Sequence, residues 1–280
     1  MEWFMTLLFH LTTIPIQPCI YSNVKIDLLF HSALLVQIQS SFTYSSAPNS
    51  LPVTSKSYLD ISPYFSQEKF RAGFSLGFST FSSEEDRKQL AEIIGLNSEN
   101  LVVPKQVHGH RVQYCKSPGE LADTDAIISN SENVVLSIQV ADCIPLFILD
   151  KNSKMVGLVH AGWKGTAKGI VSKTIHEIKI HNESQNNIMV LIGPSIKQCC
   201  FEIGPEVADE FSNDYLVQGS GDRSFLDLQG VVKKQLMNVG IKNENIIDLD
   251  ECTCCQPKKY YSYRRDGKQA GRMIAVCGWV

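Results

Sequence analysis

The sequence has no long apolar run: no stretch of its 280 residues reaches the roughly 18 apolar residues that a membrane-spanning helix needs. Clustered positive charge is also missing. Lys and Arg number 26 against 29 Asp and Glu, for a net charge of -3. The basic doublets Arg87-Lys88, Lys233-Lys234, Lys258-Lys259 and Arg264-Arg265 are short and dispersed. Binding of phosphate backbones calls for clustered Lys and Arg, so neither nucleic acid nor a membrane is expected as a partner. There is no internal repeat. A disulfide framework is absent too: the nine cysteines are odd in number, and five crowd into Cys199-Cys200 and Cys252-Thr253-Cys254-Cys255. Neighbouring cysteines rarely bridge without strain, so a reducing cytoplasm is the expected location. The apolar first 20 residues raise a signal peptide, but none is expected, since Glu2 stands where Lys or Arg belongs and Pro15 and Pro18 interrupt the run.

What is present is enough for one large domain. An apolar fraction of 44% supports a sizeable core, and 20% charged residues argues against wholesale disorder. Composition changes near residue 65. Ser40 to Ser57 is rich in Ser, Pro and Thr without an apolar period, so residues 1–65 read as an N-terminal extension, disordered or foreign to the domain at 66–280. Further on, Ser82-Ser83-Glu84-Glu85 forms a capping box before the apolar stripe Leu90, Ile93, Ile94, which Gly95 closes. Strands are predicted at 101–107, 111–114, 126–129, 134–140, 144–149, 155–159, 188–193 and 273–279. Helices are predicted at 166–180, from Pro205, and at 228–239 before Gly240. Consecutive strands followed by mixed elements predict an α+β fold, with mixed, largely antiparallel β-sheets flanked by helices.

The chemistry concentrates around two apolar runs, Ile144 to Asp150 and Met155 to His160, joined by the polar loop Lys151-Asn152-Ser153-Lys154. This pattern describes a β-hairpin. If Asp150 faces Met155, then His160 faces Pro145 and Cys143 faces Gly162. Side chains alternate along a strand, so Cys143 and His160 share a face as diagonal neighbours, roughly 7–8 Å apart at the backbone. One metal fits between a thiolate at about 2.3 Å and an imidazole at about 2.0–2.1 Å. The bland reading of each residue alone is a buried thiol and a satisfied core histidine. Small Ala161-Gly162 would let a ligand approach the backbone. A third ligand comes from Gln106-Val107-His108-Gly109-His110, as His108 or His110. Three protein ligands and an open position make the catalytic zinc pattern.

The same residues allow a metal-independent pair, with His160 as base, Cys143 as nucleophile and Asp142 or a backbone group as orienter. A structural zinc on Cys252, Cys254 and Cys255, with Cys199 or Cys200, is disfavoured by the C-x-C-C spacing; buried thiols or a redox site fit it better. Trp163-Lys164-Gly165-Thr166 opens a helix, where backbone N–H groups and Lys164 can hold an anion, or Thr166 can simply cap. Tyr260 to Gly267 offers Tyr263 for ring stacking and Arg264 for anion binding, or else a solvated loop. Asp123 and Asp125 read as turn caps.

Together, Lys105-Gln106-Val107-His108-Gly109, Asp123-Thr-Asp125-Ala, Ala141-Asp-Cys143, His160-Ala-Gly-Trp-Lys-Gly165, Gly193-Pro and Ser262-Tyr-Arg-Arg-Asp-Gly-Lys-Gln-Ala-Gly-Arg272 resemble the YfiH or laccase-domain family, also called the polyphenol oxidase family. The resemblance covers about 70–280. It implies a single-domain fold and zinc on His108, Cys143 and His160. It also implies purine-nucleoside chemistry: phosphorolysis of adenosine, inosine, guanosine and methylthioadenosine (a transferase reaction) and adenosine deamination (a hydrolase reaction). Partners are then a small-molecule nucleoside and phosphate, with the chain a monomer or small homo-oligomer. Copper-dependent phenol oxidation is the older alternative for the family. A multicopper site needs many imidazoles, and only His108, His110, His160, His176 and His181 lie in the matching region. A non-catalytic protein with a purely structural site is a further alternative. One departure stands out: Gly73 to Glu84 lacks the family's arginine, so phosphorolysis is expected to be impaired unless Arg71, Lys164 or Arg264 binds phosphate in its place, and deamination to be less exposed to the loss.

Overall fold

The structure, a computed structural model, describes residues 58–77, 84–181 and 187–280. The expectations for residues 1–57, for Ser82 and Ser83 of the capping box, and for half of the arginine-less stretch lie outside the described residues. The first strands are β1 (Tyr58–Asp60), β2 (Phe70–Ser75), β3 (Leu101–Pro104), β4 (Val112–Tyr114), β5 (Gly119–Leu121), β6 (Ala126–Ser129) and β7 (Val135–Val140). They are followed by β8 (Ile144–Asp150), β9 (Met155–Ala161), β10 (Ile188–Ile192), β11 (Glu202–Ile203), β12 (Leu216–Gln218), β13 (Ser224–Leu226), β14 (Ile246–Asp248) and β15 (Met273–Trp279). The helices are α1 (Glu84–Ile93), α2 (Trp163–Ala167), α3 (Ile170–Ile180), α4 (Pro205–Ala208), α5 (Leu228–Asn238) and α6 (Tyr263–Asp266). Among these residues, no helix is long and apolar enough to cross a membrane.

Two six-stranded sheets carry the fold, in the orders β1-β2-β15-β7-β3-β5 and β14-β10-β8-β9-β6-β4. Strands β11 to β13 form a small third sheet. Both large sheets are mixed, with antiparallel pairings such as β8–β9 and β15–β7 outnumbering parallel ones such as β3–β7. This is the expected α+β class.

Alternation decides what each face buries. Along β15, Met273, Ala275 and Cys277 pack with Phe147, Leu149, Val156 and Leu158 of the second sheet. Ile274 and Val276 point the other way, onto Leu90, Ala91 and Ile94 in and beside α1. Ile144, Leu146 and Ile148 of β8 pack on Ile170, Val171, Ile175 and Ile178 of α3 and on Val232 and Leu236 of α5. The layers therefore run helix, sheet, sheet, helix, and the apolar layer between the sheets is closed on both sides.

The hairpin of β8 and β9 has the register read from the sequence: Asp150 opposes Met155 and Pro145 opposes His160. Several boundaries differ. Strand β3 stops at Pro104, and residues 105–110 form a loop. The single helix expected from Thr166 is two, α2 starting at Trp163 and α3 at Ile170, divided by Gly169 in the left-handed region at φ 75°. Thr166 is not the cap: Gly162 holds that position, and the Thr166 N–H donates to its carbonyl. Residues 58–65, assigned by composition to the extension, are part of the fold. Strand β1 pairs with β2, and Ile61 and Phe65 are buried. Three-residue strands and single buried side chains give no periodic signal, which explains the difference.

Candidate metal centre

His108, Cys143 and His160 converge at one end of the layer between the sheets. Their three donor atoms all lie within 4.8 Å of one another. Cys143 immediately precedes β8 and His160 is in β9, and both project from the same face of the hairpin, that of Phe147 and Leu158. His108 comes from the other sheet, on the loop that follows β3. Its φ is 57°, and its ring meets that of His160 edge to face at 4.8 Å. His110 is not part of the group. Gly162 makes the approach possible, because a Cβ there would lie 3.0 Å from Cys143 Sγ and 3.3 Å from the His108 ring.

Asp125 organises two of the three candidate ligands. Fully buried, its carboxylate accepts the backbone N–H of Val107 at 3.2 Å, His108 at 3.0 Å and Gly109 at 2.7 Å. It also meets His160 Nδ1 at 2.7 Å. With Nδ1 held, Nε2 is the nitrogen left for a metal or for the thiol. Burial opposes ionisation of Asp125, but the hydrogen bonds from His160 and Gly109 hold its carboxyl below the usual range. Burial likewise pushes the Cys143 thiol up. The charge of His160 and hydrogen bonds from both histidines outweigh it, bringing the thiol down to about 6. His160 moves the opposite way: desolvation lowers it, while the Cys143 and Asp125 charges carry it up to about 9.

Asp142, the orienter of the metal-independent pair as read from sequence, faces away from His160. Its φ of 80° turns its carboxylate to Thr253 Oγ1 at 2.6 Å, Ser262 Oγ at 3.0 Å and the Arg264 N–H at 2.7 Å. It ties the Cys143 turn to the loops that wall the site. Asp125, read as a turn cap, is the residue that holds the histidine.

A cavity of about 800 Å³ opens over the three ligands, and Trp163, Lys164, Tyr263 and Arg264 all line it. Gly165 does not. It packs under the His108 loop, where an added Cβ would lie 2.5 Å from the Gly109 carbonyl. Phe201 and Arg272 are lining residues that sequence reasoning missed. The Arg264 guanidinium stacks on the Phe201 ring at 5.4 Å, and Arg272 lies 5.9 Å from the Tyr263 ring centre. Arg272 was visible only as the last letter of a family motif. Arg71 is elsewhere, donating to the Glu68 and Phe70 carbonyls.

The donor chemistry, two imidazoles and a thiol with a buried carboxylate behind one imidazole, suits a single borderline-soft metal such as zinc. A family model described as multi-copper polyphenol oxidoreductase laccase matches residues 62–279. The chain belongs to this laccase-domain family. A purine nucleoside phosphorylase of Clostridium acetobutylicum is 35% identical over 217 residues, covering 72% of this chain and 90% of that protein. An adenosine deaminase of an unknown prokaryotic organism is 29% identical over 203 residues, covering 66% of this chain and 78% of that protein. The crystal structure of YlmD from Geobacillus stearothermophilus superposes with a TM-score of 0.72 at 26% identity, covering 78% of this chain and 93% of that one. The multi-copper label does not fit the side chains. Among the described residues, His108 and His160 are the only histidines in a group that could hold a metal ion; His181 stacks on Tyr114 at 4.2 Å.

Proposed function

We propose that this member of the laccase-domain family is a zinc-dependent enzyme of purine nucleosides, catalysing phosphorolysis and adenosine deamination. The observation that carries the reading is the His108, Cys143, His160 group at the floor of a cavity walled by aromatic and cationic side chains. The cavity volume is in the range of small-molecule sites. Trp163, Phe201 and Tyr263 supply faces against which a planar base can stack. Lys164, Arg264 and Arg272 bring positive charge to the same wall, which suits phosphate and stands in for the arginine missing after β2. Zinc on the three ligands would supply Lewis-acid polarisation at its open position. The chain's own part is to orient. Asp125 fixes the His160 ring and the His108 loop, and the walls exclude bulk water from the reacting bonds. The relatives named purine nucleoside phosphorylase and adenosine deaminase support the substrate class. Seven cysteines among the described residues are free thiols, which suits a reducing cytoplasm although Cys255 is disulfide-bonded, and all three candidate ligands come from one chain, so a monomer suffices.

The test is incubation with adenosine, with and without phosphate, followed by separation of adenine, ribose 1-phosphate and inosine. Adenine and ribose 1-phosphate that require phosphate report phosphorolysis; inosine reports deamination. No product above a Cys143→Ala control sinks the enzymatic reading.

One observation favours a second reading. Cys143, His160 and Asp125 are linked in series, and the thiol is lowered to about 6, as in a nucleophile–base–orienter set. Activity that survives chelation but not thiol alkylation would select that reading.

A further inference from the structure

A second group of sulfur atoms lies outside the site. Cys199 and Cys200 sit in the turn after β10, and Cys252 to Cys255 in the loop after β14. The sulfurs of Cys199, Cys200, Cys252 and Cys255 all lie within 4.8 Å of one another. Cys199 Sγ is 3.8 Å from Cys200 Sγ, 3.7 Å from Cys252 Sγ and 3.5 Å from Cys255 Sγ; Cys200 and Cys255 are 3.3 Å apart. A zinc–sulfur bond of about 2.3 Å in tetrahedral geometry sets sulfur–sulfur edges of about 3.8 Å. The measured separations of 3.3–3.8 Å lie at or a little below that figure.

We propose that in the reduced chain these cysteines bind a second metal ion, a structural zinc. Cys199, Cys200, Cys252 and Cys255 supply the four thiolates. Cys255 is disulfide-bonded in this structure, so the site belongs to the reduced form. The sequence spacing supports the assignment once the partners are known. Read as C-x-C-C the segment is abnormal, but Cys252 and Cys255 alone form the ordinary C-x2-C unit. The other two ligands arrive from a turn held by the Cys200 and Phe201 N–H groups on the Lys197 carbonyl.

Four protein ligands leave no open position, so this ion closes a structure and does no chemistry. It joins two loops that build the cavity wall. Phe201 follows Cys200 directly, and Arg264 donates to the Cys200 carbonyl at 3.2 Å and the Glu202 carbonyl at 2.6 Å. Thr253, between the ligands Cys252 and Cys255, donates to Asp142 beside Cys143. Loss of the ion would loosen Phe201 and Arg264 while leaving His108, Cys143 and His160 in place.

The test is made in a Cys143→Ala chain, which removes the first donor set, purified in phosphine reductant without chelator. Elemental analysis is expected to give about one zinc per chain, falling to a trace when Cys199→Ser and Cys252→Ser are added. Cobalt substitution should give a sulfur-to-cobalt charge-transfer band in the Cys143→Ala chain that the added substitutions abolish. Should the triple variant fail to fold, alkylation of Cys199 and Cys200 is followed by peptide mass spectrometry in the Cys143→Ala chain. Zinc should protect both thiols and a chelator should release them. A fully reduced Cys143→Ala chain without zinc, or zinc that persists after the serine substitutions, or alkylation indifferent to zinc, overturns the proposal.

Discussion

Substituting Asp125→Asn keeps the size of the side chain and removes the charge that faces His160 and three backbone N–H groups. Carboxylates behind a ligating imidazole set its orientation and basicity, so metal affinity at the first site should fall about 10–100-fold. Competition with a chromogenic chelator measures this, and an unchanged affinity would remove Asp125 from its orienting role. The thiol gives a second residue-level test. With Cys143 brought down to about 6, its thiolate exists above that pH and is lost below it. Alkylation of Cys143 in metal-free protein should rise to half its maximum near pH 6, and in Asp125→Asn the midpoint should move up toward the ordinary thiol range. A midpoint in that ordinary range for the unsubstituted chain would mean that the Cys143–His160 pair does not form. That Cys143 and His160 share a face was legible because alternation fixes which side chains lie on each side of the hairpin. Asp125 was not, since Asp-Thr-Asp looks locally like a turn and its histidine lies on a different strand. Asp142 misled for the opposite reason: it adjoins Cys143 in sequence, and a positive φ turns it away.

Element α2 is short, and its value to the site lies in what it lets approach. Gly165 carries no side chain where the His108 loop crosses, and a methyl group there would lie 2.5 Å from the Gly109 carbonyl. Backbone cannot swing aside as a long side chain can. Gly165→Ala should therefore cost about 1–3 kcal/mol, the range for overpacking, and push the His108 loop off its bonds to Asp125. Urea unfolding reads the first effect and metal affinity the second. An unchanged urea midpoint would show that loop and helix separate freely. The helix pair also marks where sequence patterning stops being informative. Ile170, Val171, Ile175 and Ile178 at helical spacing identify α3 correctly. Nothing in that periodicity reveals that the helix is broken at Gly169 and that a separate turn of helix begins at Trp163. Strand β3 ends early for a similar reason. Val107 continues the apolar run in sequence, yet it is exposed on the loop.

At the scale of the molecule, the two sheets share one apolar layer, and the candidate metal site lies at its end with a ligand from each side. His108 follows a strand of the first sheet, while Cys143 and His160 belong to the hairpin of the second. The class of fold was legible from the strand succession. The pairing of strands distant in sequence was not, because β15 is inserted between β2 and β7 by contacts that no local pattern encodes. An ion held by all three ligands would resist any motion that parts the sheets. It binds the folded chain only, because the donor set does not exist in the unfolded one. Folding stability should then rise with free zinc, by about 2.7 kcal/mol at a hundredfold excess over the dissociation constant. The measurement belongs in a chain carrying Cys199→Ser and Cys252→Ser, so that the cysteine group contributes nothing. In that background the urea midpoint should climb with zinc, and adding Cys143→Ala should abolish the climb. Tryptophan fluorescence, to which Trp279 buried at the end of β15 contributes, and far-ultraviolet dichroism should shift together, because both sheets border the same layer. If zinc shifts the midpoint equally with and without Cys143, the ion binds elsewhere and does not link the sheets.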